Sequence, residues 1–289
     1  MLKKYLLHIV LTFLIFLYVL SFFLNSIKNG GKIIKSPLIN PSNIEKITKI
    51  EIEDGYNKIT LTKKLTKWAG ENNFGLNFPV EGNKIENFFA AFSKTRKIAA
   101  VNKKNGLKNF GLDTDNSKKI TYTLENNQSY TISFGNYDFT GTKIYFNTEK
   151  GDSVFETNSE IDIFLNGKTS FWTDPMLIPD IFPEVIKVEN IERIVFSENG
   201  KNTLLTYKTE ENYSKIKKLL ELRHGNIGLA KGKKTGTLTI LTNSLGKIEM
   251  EFYETPEEEY WVKYNIPELS NYSAEISLWT LNQIRSQFK

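Results

Sequence analysis

One pattern in this chain is written twice, and that repetition limits what it can fold into. Residues 119–134 read KITYTLENNQSYTISF, and residues 237–252 read TLTILTNSLGKIEMEF. The match continues through TKIYFN at 142–147 against YWVKYN at 260–265, then through NSEIDIFL at 158–165 against SAEISLWTL at 273–281. Apolar and polar residues alternate at period two through these stretches, the signal of strands with one buried face. Each copy is therefore expected to be an antiparallel meander closed by a helix. Upstream the copies align at offsets of 144 (Ile47 with Ile191), 131 (Phe88 with Leu219) and 118 (Ile120 with Leu238). A unit this long, present twice, points to domain duplication rather than a solenoid.

The longest apolar run is residues 5–24, YLLHIVLTFLIFLYVLSFFL. Twenty helical residues at ~1.5 Å each span ~30 Å, the thickness of a bilayer's hydrocarbon core. The run ends SFFLNS without the small-residue pattern of a cleavage site, which predicts an uncleaved anchor. His8, in its first turn, is expected near the interface or facing a partner helix. Lys3 and Lys4 flank one side and Lys28, Lys32 and Lys35 the other, so the short N-terminal tail, rather than charge, favours an N-in orientation. Cysteine is absent, which removes lipoprotein processing, disulfides, thiolate catalysis and Cys-based metal sites together. The net charge of +5 comes from lysines spread along the chain, and their clusters lack interleaved aromatics in strand register. No nucleic-acid partner is expected.

The fold class expected is thus α+β: an N-terminal transmembrane helix followed by two related antiparallel-sheet-plus-helix repeats. The divisions are 1–24 anchor, 25–43 linker, 44–178 first repeat (elaborated) and 179–289 second repeat. Gly30, Gly31, Pro37 and Pro41 mark the linker as a tether. Ile47, Ile50 and Ile52, then Ile59 and Leu61, stand either side of Asp54-Gly55, a strand–turn–strand signal. Ile85, Phe88, Phe89 and Phe92 follow at helical spacing, with Asn83 placed as the N-cap. Between the copies, FWTDPMLIPDIFPE at 171–184 is too rich in proline for regular structure and too apolar for a free linker. It is expected to be an ordered connection packed between the domains, with Asp174 a turn residue.

The first copy holds two additions. Trp68, Phe74, Phe78 and Pro79-Val80 precede its helix, and NGLKNFGL at 105–112 follows it. Framework common to both copies is expected to pack, whereas material in one copy is open to specialisation. Trp68, Phe74, Pro79, Phe110, Gly111 and Leu112 are accordingly the candidate partner- or ligand-binding residues; the alternative is that these loops only cap the sheet. No catalytic constellation accompanies them. His224 is the one histidine outside the apolar run and stands at a helix exit, where a structural role is expected. AKGKKT at 230–235 lacks the first glycine of a phosphate loop and leads into a strand. Glu257, Glu258 and Glu259 are adjacent in a turn, without the alternating spacing of a calcium loop. No enzyme activity, cofactor or metal is expected.

Trp68, Pro79-Val80, the Phe-rich helix, Phe110-Gly111-Leu112 and the ITYTLENNQSYTISFG meander come in an order that resembles a bacterial family known as domain-of-unknown-function family 4340. The resemblance covers about residues 44–180. It implies a single-pass protein of the bacterial cytoplasmic (inner) membrane with extracytoplasmic domains, encoded beside ABC transporter components of the gliding-motility type. The expected function is a non-catalytic accessory or scaffold role with protein partners such as ABC transporter permease subunits. A module binding envelope glycan or peptide through the first-repeat aromatics is the alternative, and a hydrolase of envelope polymers the third. The family offers no catalytic residues to carry over.

Overall fold

The computed structural model describes residues 13–18, 33–101, 106–112, 117–148, 153–179, 186–243, 246–269 and 271–289. Among them no helix is long and apolar enough to cross a membrane. Residues 13–18 are helical and exposed; the remainder of the 5–24 run expected as the anchor lies outside the described residues.

The alternation at Ile47, Ile50 and Ile52 makes strand β2 (Ile47–Glu53), with those three side chains fully buried. The Asp54-Gly55 turn returns the chain as β3 (Lys58–Lys64), and β4 (Lys67–Asn72) and β5 (Asn77–Pro79) extend the sheet. Asp54 organises the turn: its carboxylate accepts from the backbone N–H groups of Tyr56, Asn57 and the distant Gly167. Helix α1 (Gly82–Ser93) then lays Ile85, Phe88 and Phe92 on the sheet. It begins before the Asn83 expected as its cap. Glu81 is the N-cap and uses no side-chain bond; instead its N–H donates to Trp172 O at 2.9 Å, so a tertiary contact holds the helix start.

Strands β6 (Arg96–Val101), β7 (Lys118–Leu124), β8 (Ser129–Tyr137), β9 (Lys143–Thr148) and β10 (Val154–Asn158) complete the first unit. Ile33–Ser36 adds a further strand, β1, paired with β6, and Ile39 is fully buried. The stretch expected as linker therefore joins the fold from residue 33 onward. Its apolar pairs, Ile33-Ile34 and Leu38-Ile39, are too brief to show a period.

The short helix α2 (Thr169–Trp172) leads to the second unit: β11 (Ile191–Glu198), β12 (Lys201–Leu205), α3 (Glu210–Leu220), β13 (Ile227–Gly228), β14 (Lys233–Thr242), β15 (Lys247–Glu254), β16 (Tyr260–Tyr264), β17 (Ser273–Ile276) and α4 (Leu278–Gln287). Among the described residues the first sheet runs β1-β6-β10-β9-β8-β7-β2-β3-β4-β5, and the second runs β12-β11-β14-β15-β16-β17-β13. Reversed, the second is the first from β6 to β3, element for element. Register agrees as well. Ile50 faces Tyr122 and Ile194 faces Ile240, and a bulge interrupts both ladders at the same place, after Ile47 and after Ile191. All the pairings are antiparallel, and the fold is α+β in two sheets.

The tails of the copies align differently from their letters. Ile144 pairs with Thr157 and Tyr260 with Ile276. The strand before the closing helix is thus offset by 119 (276 − 157), not the 115 that matches IDIF to ISLW. Asn158 and Ser277 are then the equivalent N-caps. The first copy closes with a short 3-10 helix, Ser159–Phe164, and only the second with an α-helix.

Candidate functional site

Where the two units meet, the chain is laced into both. Asp174 N donates to Pro79 O (2.9 Å), while on the opposite side Leu177 N donates to Leu222 O (2.8 Å) and His224 N to Pro175 O (2.9 Å). Trp172, Thr173, Asp174, Leu177 and Ile178 are buried there. Two phenols of the second unit, Tyr264 at the end of β16 and Tyr272 just before β17, reinforce the lace. Tyr264 donates its hydroxyl to Leu177 O at 2.6 Å, and Tyr272 lies 2.8 Å from His224 Nε2. Burial, and then the neighbouring Asp174 charge, pushes Tyr264 far above the ordinary phenol range. Burial likewise raises Tyr272, with Tyr264 and Asp174 adding to the shift. Both therefore stay protonated and able to donate. His224, four residues past the end of α3, sits with Nδ1 2.9 Å from Gly225 O and Nε2 2.9 Å from Asp174 O.

This lace forms the floor of a cleft of about 660 Å³. One wall comes from the first unit: Trp68 at the start of β4, and Ile85 and Phe89 from α1. The rings of Trp68 and Phe89 lie 5.9 Å apart at 51°. The other wall comes from the second unit, through Ile186, Leu220 and Arg223. Pro175, Met176 and Ile178 line the base. Lys67, Glu81, Glu86 and Arg223 add charged groups to the lining, and the buried Asp174 carboxylate adds one at the floor. Glu81 is taken by Lys84 at 2.8 Å, whereas Arg223 and Glu86 make no ion pair among the described residues. The Asp174 carboxylate accepts from Met176 N at 3.0 Å. A partly aromatic trough with apolar walls and a few charged groups in its lining is suited to holding a ligand. Among the described residues its lining includes no Ser, Cys or His beside a carboxylate that would activate a nucleophile.

Of the six candidate residues, only Trp68 lines this cleft. Pro79 is buried just behind it, spending its carbonyl on Asp174, and its neighbour Val80 reaches the wall. Phe74 stands 85 % exposed at the turn beyond β4, the far end of that hairpin. Phe110 and Leu112 are buried in a separate small cluster with Val154, against Val101, Leu107 and Tyr145. Tyr145 alternates with the core residues Ile144 and Phe146, so this cluster lies on the sheet's other face. Gly111, at φ +69°, turns the chain there, and Phe110 packs edge-on to Tyr145 at 4.8 Å.

That packing has a counterpart in the second copy. Trp261 is the equivalent of Tyr145 at offset 116, the offset that also pairs Phe146 with Val262. Lys231, after β13, lies over its ring at 5.6 Å, and a Cβ on Gly228 would approach the ring to 3.3 Å. Both copies therefore cover the outer face of the same strand, from segments that share Asn-x-Gly-Leu at 109–112 and 226–229. Leu220, Ile186 and Arg223 are cleft residues that the sequence did not single out, and Phe89, read as part of the helix's apolar stripe, lines the wall instead. Their one signal was the apolar 171–184 connection, because something must pack on it.

Among the described residues no group of three or more His, Asp or Glu stands close enough to hold a metal ion. No protein-family model matches the chain, and neither a curated protein nor a solved structure does.

Proposed function

We propose that the chain is a membrane-anchored, non-catalytic accessory protein that binds an exposed segment of a protein partner in the cleft between two duplicated sheet units. The observation that carries this reading is the cleft itself: an apolar trough walled by both units, with Trp68 and Phe89 on one side and Leu220 and Ile186 on the other. Aromatic and aliphatic side chains around a desolvated centre, with charge at the rim, is the usual anatomy of a protein-binding surface. Duplication is supported by the matching strand order and bulges of the two sheets. Anchoring by 5–24 is supported by the length and apolarity of that run. On the resemblance, the partner is a permease subunit of an ABC-transporter-like complex at the bacterial inner membrane, met on its extracytoplasmic side. The half-buried Trp68 ring also favours a second reading, an envelope glycan or peptide in the same cleft.

The test is recovery of the full chain from native membranes in mild detergent, with mass spectrometry of what accompanies it. Stoichiometric permease and ATPase subunits, lost on Arg223→Glu at the exposed rim, are the expected result. Recovery of the chain alone, or with bound glycan, overturns the accessory reading.

A further inference from the structure

The tip of the β3–β4 hairpin holds an apolar side chain in full solvent and in a costly backbone shape. Lys64 pairs with Lys67, so the loop is just Leu65 and Thr66. Leu65 has φ +56°, the left-handed conformation that such two-residue loops demand and that Gly or Asn usually supplies. Its side chain is 80 % exposed. Facing only water, glycine would serve this position better, since it relieves the backbone and removes the apolar surface.

The surroundings are basic. Lys63, Lys64 and Lys67 flank the tip, and Lys46 ends the adjoining 3-10 helix, Pro41–Lys46. Lys63 Nζ donates to the backbone carbonyl of Glu45 at 3.0 Å, which ties the two elements together. Glu45 and Glu125, the latter in the β7–β8 turn, are the acidic residues beside them, and Glu81 at the start of α1 is paired with Lys84. Lys46, Lys63 and Lys64 make no ion pair among the described residues.

This end of the sheet is also the one from which the chain arrives. β1 runs from Ile33, opposite Ala99, to Ser36, opposite Arg96, while Val101 and Val154 mark the end that carries the tip. From residue 24 to residue 33 there are nine steps, a reach of at most about 30 Å.

We propose that the 63–67 tip docks on an anionic lipid headgroup surface, Leu65 entering among the headgroups and the lysines meeting their phosphates. The proposal rests on the anchored reading above. Thr66, Lys67 and Trp68 continue from the tip into the cleft wall, so docking would hold the cleft's mouth at the bilayer surface.

The native chain has no cysteine, so a Thr66→Cys variant of the full chain takes a single environment-sensitive fluorophore. It is reconstituted into vesicles of phosphatidylcholine alone or mixed with phosphatidylglycerol, each carrying a lipid-borne quencher. The expected result is flotation with both vesicle types, and quenching in the anionic vesicles that falls by more than half in high salt. Adding Leu65→Gly should abolish most of that quenching while the protein melts no lower than its parent. Flotation with an unquenched tip, or quenching indifferent to Leu65→Gly, overturns the docking and leaves the anchor standing. Failure to float with either vesicle overturns both.

Discussion

Asp54 shows how one side chain can join two distant segments. Its own burial tends to raise its pKa, but the backbone donors of Asn57, Tyr56 and Gly167 outweigh that, and the carboxyl lies below its usual 3.8. The folded state therefore holds this proton more weakly than the unfolded state does. The stabilisation is present at neutral pH and is lost as the pH falls below about 4, through the folded value. Asp54→Asn should lower the melting temperature at pH 7 and flatten the acid limb of a stability–pH curve in that window. Gly135 is as exacting for steric reasons. A Cβ there would lie 2.0 Å from the Phe110 carbonyl oxygen. Gly135→Ala should cost about 1–3 kcal/mol in denaturant melts, because either the 106–112 loop or β8 must shift.

At the scale of elements, the two copies make a controlled comparison. Ile50 and Ile194 are equivalent by register, and both are fully buried between a hairpin partner and the central meander strand. Truncation of either to Ala should cost about 2–5 kcal/mol, with the two losses similar, as measured by urea melts. A large asymmetry would mean that one sheet carries the stability and the other is only docked on it. The sheet-forming stretches were legible because strand periodicity is local: residues two apart share a face wherever the strand goes. The closing helices lie four residues away from where similar letters (IDIF and ISLW) would align them, because a loop-length change intervenes that only the ladder pairing reveals. The Phe110-Gly111-Leu112 segment was conspicuous for a comparable reason. It stands out as unmatched sequence, yet Asn226-Ile227-Gly228-Leu229 repeats Asn109-Phe110-Gly111-Leu112 at three of four positions, and Gly228 and Lys231 cover Trp261 as Phe110 covers Tyr145.

Over the whole molecule, the decisive segment is 172–177, which hydrogen-bonds to Pro79 and Glu81 on one side and to Leu222 and His224 on the other. One continuous buried cluster includes side chains of both sheets. The two units should therefore unfold in a single transition. Tyr264→Phe removes the hydroxyl that satisfies Leu177 O and should cost about 1–2 kcal/mol while keeping that transition single by calorimetry. Two resolved transitions in the parent chain would show that the lace is too weak to couple the units. The duplication, the α+β class, the strand stretches and the apolar run at 5–24 follow from order along the chain, because each is a pattern of near neighbours. The cleft does not. Trp68 lies more than a hundred residues from Leu220, and nothing in the spacing of either predicts that a proline-rich connection will draw them together. Where each of these aromatic residues lies was decided by long-range contacts: Phe110 turned into a private core, Phe74 out to solvent, and Trp68 to the wall of the cleft.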